Sequence, residues 1–212
     1  MSTTHELKRL FGLSPQSETL SEFLKSISPS SGLRVPEVKS YPDAVYFNYH
    51  QLGLSLLFKP VQGYKPKMGL SRNDLEEGKL TVDGIDLYNT PSQQSSGEKS
   101  RKKATFTFST YPISPIILKL EAEIKDRDGK VIPRPEQFVV QRETQGKAFV
   151  EYLGEPDRKG GGSGPSSGSI GIWCEWLKDG ILVEFGGAEA RGPQAWETGK
   201  DAVWKVITLF VA

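Results

Sequence analysis

The chain has 212 residues, enough for one large or two small domains with a real core. Its formal net charge of +1 sets up no overall field toward nucleic acid or an anionic membrane, and 36% hydrophobic with 25% charged residues is the balance of a soluble globular protein. No apolar run nears the ~20 residues that cross a bilayer, MSTTHELKRLFGLSP lacks a signal-peptide core, and the one cysteine, Cys174, has no partner for an internal disulfide. The expectation is a cytoplasmic protein with no nucleic-acid or membrane partner.

Helical spacing opens the chain. Ser14 is placed to cap and Pro15 suits a first helical position, and Leu20, Phe23, Leu24 and Ile27 recur on one face before Pro29 and Gly32 end the run. Residues 33–43 read as a connection. Strands follow at 44–49 and 52–58, where apolar and polar residues alternate around a turn at His50–Gly53. A loop covers 59–79, and LTVDGIDLYN reads as a strand bulged near Gly84. Residues 91–103 lack any apolar anchor and read as a mobile loop. ATFTFST reads as a strand with Phe106 and Phe108 on one face, and 116–125 as one long half-buried strand ended by Asp128-Gly129. A helical stretch is expected over 135–153, weakened at Gly146. KGGGSGPSSGS at 159–169 reads as a flexible loop. Strands at 170–177 and 180–186, a loop with Trp196 and a last strand at DAVWKVITLFVA complete the chain.

YFNYHQLGLSLLF (46–58) and WCEWLKDGILVEF (173–185) share one layout. Aligning Gly53 with Gly180 puts Phe58 on Phe185, Leu56 on Val183, Tyr49 on Trp176 and Tyr46 on Trp173. Phe23-Leu24 and Ile27 then match Phe149-Val150 and Leu153, and Ile85, Leu87 and Tyr88 match Ile207, Leu209 and Phe210. The order of elements repeats, so the expected fold is α+β, built from two pseudo-repeated units of a helix and an antiparallel sheet, at 1–132 and 133–212.

The pattern in FVEYLGEPDRKGG, WCEWLKDGILVEF and WKVITLF, and more faintly in residues 23–88, resembles the tandem-repeat beta-lactamase inhibitor proteins. The texture of the whole chain is also similar to fungal proteins of this size. The first resemblance implies a fold that binds partners through a sheet face without chemistry of its own, and it transfers no functional residue.

The residues offer little to catalysis. His5 lies in an N-terminal stretch expected to fray, and His50 at a hairpin turn has no nucleophile motif near it. Cys174, between Trp173 and Trp176 on a strand, reads as an inert thiol, and no zinc spacing is present. Asp126-Arg-Asp128-Gly129 begins like a calcium loop, yet Gln137 stands where a carboxylate is required. Asp83 and Asp86 are three apart on a strand and so face opposite ways unless bulged. The glycines at 160–164 open no phosphate-binding helix. Lys99, Arg101, Lys102 and Lys103 form a basic run that reads as a solvated loop, or as a nuclear import signal.

Aromatic residues are the stronger lead. Alternation sends Trp173 and Trp176 to opposite sheet faces, as it does Tyr46 and Tyr49, so one ring of each pair lies off the core unless loops 59–79 and 187–201 cover it. The expected function is a non-enzymatic binding or adaptor protein, without cofactor or metal. It would hold a protein partner or a small ligand on an aromatic sheet face or at the seam between halves. The residues expected to bind are Tyr46, Tyr49, His50, Trp173, Trp176 and Trp196. The alternative is an enzyme of unrecognised type using His50 with Asp83, Asp86, Glu175 or Glu184.

Overall fold

A computed structural model describes residues 2–28, 35–90, 107–125, 129–162 and 171–212. The expected loop at 91–103 with its basic run, Phe106, the Asp126–Asp128 turn and residues 163–170 of the glycine-rich loop lie outside the described residues.

In chain order the elements are β1 (Ser2–Thr3), α1 (Thr4–Lys8), α2 (Glu18–Ser26), β2 (Glu37–Ser40), β3 (Val45–Tyr49), β4 (Leu54–Pro60), β5 (Leu80–Tyr88), β6 (Ile116–Lys119), β7 (Glu123–Lys125), β8 (Val131–Pro133), β9 (Gln137–Val140), α3 (Gly146–Leu153), β10 (Arg158–Gly160), β11 (Trp173–Trp176), β12 (Ile181–Phe185), α4 (Ala195–Thr198) and β13 (Trp204–Phe210). The fold is α+β, with short helices, predominantly antiparallel strand pairing, and a parallel pairing of β1 with β6. The chain divides into a contiguous unit, Leu10–Pro112, and a split unit, Met1–Arg9 with Ile113–Ala212. The sequence reading divided it after residue 132. β6 pairs with both β9 and β1 within the split unit.

In the contiguous unit, α2 is followed by the meander β2-β3-β4-β5. The helix starts after Ser17, not Ser14, and buries Leu20 and Leu24 four apart. On the sheet, Val45, Phe47, Tyr49, Leu54, Leu56 and Phe58 are buried on one side. Residues 61–79 cross that side, where Arg72 lies 5.2 Å over the Phe47 ring. A 3-10 turn at His50–Leu52 joins β3 to β4, and Gly53 closes it with φ +55°.

In the split unit, α3 is followed by β10-β11-β12 and β13, again in sequential pairing. Phe149 of α3 meets Phe185 edge to face at 5.7 Å, and Trp176 donates its indole N–H to the Gly154 carbonyl at 2.8 Å. These contacts seat the helix on the side that carries Cys174, Trp176, Ile181 and Val183. The N-terminus is not frayed: Thr3 and Glu6 form a reciprocal cap on α1, Leu7 is fully buried, and His5 stays exposed.

The two meanders share a register. Leu54, Leu56 and Phe58 stand opposite Leu87, Ile85 and Val82, and Ile181, Val183 and Phe185 stand opposite Leu209, Ile207 and Trp204. Pairing shifts between Leu57 and Phe58 and, at the aligned place, between Glu184 and Phe185. In each, the turn glycine is left-handed and its carbonyl accepts from the closing strand, from Tyr88 at 2.9 Å and from Phe210 at 3.0 Å. The helices match differently from the sequence reading. Phe149 and Leu153 correspond in burial to Leu20 and Leu24, whereas Val150, aligned with Leu24, is exposed.

Three expected elements differ. Helix 135–153 is β9 followed by the shorter α3, because Gln137–Val140 alternates exposed and buried and pairs with β6. The long strand 116–125 breaks at Leu120, since β6 pairs with β9 and β7 with β8. Residues 107–110 form no strand; the Ser109 N–H bonds the His50 carbonyl and the Tyr111 N–H bonds the Tyr88 carbonyl, both at 2.7 Å. Two connections carry strands instead: Glu37–Ser40 within 33–43, and Arg158–Gly160 at the head of the glycine-rich loop.

Candidate functional site: an aromatic concavity on the sheet of the contiguous unit

Period-2 alternation that buries Phe47 and Tyr49 sends Tyr46 and Asn48 to the other side of β3. Register places Lys39 opposite Tyr46 in one row, and Asn48 opposite Ser55 and Ser55 opposite Asp86 in the next, so two neighbouring rows of residues share this side of the sheet. These side chains, with Tyr41, Asp43, Tyr88 and Phe108, line an open concavity of about 540 Å³. Phe108 arrives from the segment after β5 and stacks flat on Tyr88 at 3.7 Å between ring centres. It also packs 4.3 Å from the His50 ring. Tyr41 meets Tyr46 edge to face at 6.2 Å. Four aromatic rings therefore surround a polar floor.

That floor is hydrogen-bonded within itself. Ser55 donates to Asn48 Oδ1 at 2.8 Å, and Asn48 Nδ2 donates to Glu37 Oε2 at 3.3 Å. The same carboxylate oxygen lies 2.9 Å from His50 Nε2 and 3.5 Å from Lys39 Nζ. The hydrogen bond from His50 comes first among the causes that hold the Glu37 carboxyl below its usual range, with Asn48 and Lys39 adding to it. The Tyr46 hydroxyl is pushed up, first by burial and then by the negative charge of Asp86.

The structure separates the residues expected to bind. Tyr46 lines the concavity and His50 flanks it through Phe108. Tyr49 and Trp176 are core residues, 5% and 2% exposed, on the opposite side of their strands, and residues 61–79 help to cover Tyr49's side. Burial pushes the Tyr49 hydroxyl up to about 12. Trp173 lies half-buried in the split unit with its ring against Gly160, where an added Cβ would sit 2.6 Å from Cζ2. Trp196 is 45% exposed on α4 and lines a different cavity, in the split unit. Trp204 is core and donates to the Gln141 carbonyl at 2.8 Å.

The carboxylate that meets His50 is none of the four considered from sequence. Asp86 lines the concavity, while Glu175 and Glu184, in the split unit, pair with Arg158 and Lys205. Glu37 escaped notice because its strand is four residues long and edges the sheet. Its alternation with Lys39 around Val38 was the available signal. Tyr41 and Phe108 reach the site from connections, which carry no local pattern. Cys174 is buried and its thiol is pushed up to about 11, chiefly by burial, as an inert thiol is. Among the described residues no group of three or more His, Cys, Asp or Glu is placed to hold a metal ion, and no helix is long and apolar enough to cross a membrane. Comparison with family models, with curated proteins and with solved structures finds no match to this chain.

Proposed function

We propose that the chain is a non-enzymatic binding protein that takes a protein partner on the Tyr46 side of the contiguous unit's sheet. The observation that carries this reading is the concavity framed by Tyr41, Tyr46, Tyr88 and Phe108. Aromatic rings with polar tips supply large contact area at small entropy cost, and such rings dominate the energy of protein interfaces. The hydrogen-bonded floor gives an incoming backbone or amide a fixed set of polar positions. A sheet face that binds without chemistry is also what the resemblance to the inhibitor proteins implies.

The test is affinity capture of the tagged chain at low and high salt, comparing wild type with Tyr46→Ala and Trp173→Ala. A stoichiometric partner that survives high salt, is lost by about tenfold or more in affinity with Tyr46→Ala and is kept with Trp173→Ala is the expected result. No stoichiometric partner, or capture indifferent to Tyr46→Ala in a variant of unchanged circular dichroism, sinks the reading.

One observation favours a second reading. Glu37 holds His50 at 2.9 Å, as an acid orients a general base, so an enzyme using His50 is the alternative. A turnover on any substrate that disappears with both His50→Gln and Glu37→Gln would replace binding with catalysis.

We further propose that the two units descend from one duplicated unit. The shared bulge position, the shared left-handed glycine and the same strand register support this. An experimental structure lacking the shift at either Phe58 or Phe185 would count against it.

A further inference from the structure

The split unit carries its own cavity, of about 370 Å³. That volume lies within the range of small-molecule sites and holds a body of one or two fused rings. Its interior is apolar: Val150, Ile172, Cys174, Phe185 and Trp196 line it. Val150 and Trp196 are two of the large hydrophobic side chains that the protein leaves exposed, 38% and 45%, and both stand at this one cavity. Exposed apolar side chains gathered at a concavity mark a binding place more than scattered ones do. The Cys174 thiol is neutral in the neighbourhood of pH 7 and adds no charge to the interior.

The charges stand around the apolar lining. Lys147, Lys159 and Lys200 line the cavity together with Glu151 and Glu155. Lys147 and Glu151 are one helical turn apart on α3, a spacing that lets them neutralise each other. Lys159 lies 5.6 Å over the Trp196 ring, so an ammonium group sits directly above the exposed aromatic face. The first turn of α3, the positive end of that helix, also borders the cavity through Gly146. The lining thus holds three ammonium groups and two carboxylates, an excess of one positive charge.

We propose that this cavity binds an aromatic carboxylate, with its ring system on Trp196 between Val150, Ile172 and Phe185 and its carboxylate at Lys159 and Lys200. The ligand class follows from the two halves of the site. An apolar interior of this size excludes water from a ring body, and the lysines favour an anionic head over a cationic or neutral one. The site lies wholly within the split unit and does not depend on the protein-binding reading of the Tyr46 face.

The test uses the full chain and two probes with one ring body, 2-naphthoate and 2-naphthylmethylammonium, titrated by calorimetry. Naphthoate is expected to bind one to one and at least about tenfold more tightly than the ammonium probe. The double variant Lys159→Glu with Lys200→Glu is expected to erase that preference. Val150→Glu, at an exposed position where folding is undisturbed, is expected to weaken naphthoate by about tenfold or more. Absence of saturable naphthoate binding, equal or tighter binding of the ammonium probe, or wild-type affinity in a folded Val150→Glu variant each overturns the proposal.

Discussion

The contiguous and split units each build a four-stranded meander and finish it differently. In both, a turn glycine with positive φ follows a buried residue. In the contiguous unit that residue is Leu52, 2% exposed; in the split unit it is Asp179, 6% exposed. Leu52 needs no partner. Asp179 takes both of its carboxylate oxygens to Arg134, at 2.6 and 2.9 Å, and its carbonyl accepts from Lys8 at 2.7 Å. Arg134 also donates to the Glu121 carbonyl at 2.7 Å. One turn is thus filled by an aliphatic side chain. The other is tied by a buried ion pair to Arg134, in the connection between β8 and β9. The difference teaches that a shared backbone can be completed by apolar packing or by a charge clamp, and that the clamp recruits chain from outside the meander.

The sharpest way to break the comparison is to remove one half of the clamp. Asp179→Ala leaves the Arg134 guanidinium buried without its counter-charge and is expected to cost about 3–5 kcal/mol of stability. Importing the solution of the contiguous unit, Asp179→Leu with Arg134→Leu, is expected to recover most of that loss, because an apolar pair replaces an ion pair with little net penalty. Urea midpoints at constant slope measure both. A single variant that loses less than about 1 kcal/mol, or a double variant weaker than the single, would show that the ion pair is not buried as described.

A smaller effect is expected at the turn glycines. Gly53 and Gly180 have φ of +55° and +65°, where an alanine costs roughly 1–2 kcal/mol from the backbone alone. Their surroundings differ. A Cβ at Gly53 would strike the Ser109 carbonyl oxygen and approach the Tyr111 nitrogen to 2.5 Å and the Thr110 carbonyl carbon to 2.7 Å. At Gly180 it would strike the Phe210 carbonyl oxygen, but its next neighbours stand at 3.3 and 3.4 Å. Both alanine variants are expected to lose about 2 kcal/mol or more, with Gly53→Ala the worse. Equal losses would mean that segment 109–111 yields freely. Gly53→Ala should also displace Phe108 and so weaken any partner held at Tyr46, which Gly180→Ala should not.

The sequence carried the meanders well and their surroundings poorly, for a physical reason. Hairpins at 45–58 and 173–185 follow from alternation plus one glycine, and each pairing is local in sequence. Phe138-Val140 and Phe149-Leu153 lie so close together that a period-2 stretch and a helical stretch merge into one apparent helix; only the pairing of β9 with β6 separates them. The candidate site divides in the same way. Tyr46 was legible because its strand partner Tyr49 had to face the other side. Tyr41, Glu37 and Phe108 were not, since a short edge strand and two connections deliver them, and Phe108 meets His50 from 58 positions along the chain. Arg134 and Asp179 were missed likewise, because nothing in either local stretch announces the other.

The smallest expected effect compares the buried sides of the two meanders in alkali. Aligned positions hold Tyr49 and Trp176, and Phe47 and Cys174, so each unit has one ionisable group where the other has none. Burial pushes the Cys174 thiol from 9.0 up to about 11 and the Tyr49 hydroxyl from 10.0 up to about 12. Both are acids whose neutral form the folded state prefers. Their contribution is therefore complete below the unfolded-state values. It is lost as pH rises from 9 toward 11 for Cys174 and from 10 toward 12 for Tyr49, while the unfolded chain ionises first. Each group changes stability by at most about 1.4 kcal/mol per pH unit within its window. Cys174→Ala should flatten the fall between pH 9 and 10, and Tyr49→Phe should leave that part intact while flattening the fall above 10. Urea midpoints from pH 8 upward read the two windows separately. If Cys174→Ala leaves the slope between 9 and 10 unchanged, the thiol ionises as readily in the folded protein as in the unfolded chain, and the cavity beside it is wetter than its apolar lining implies.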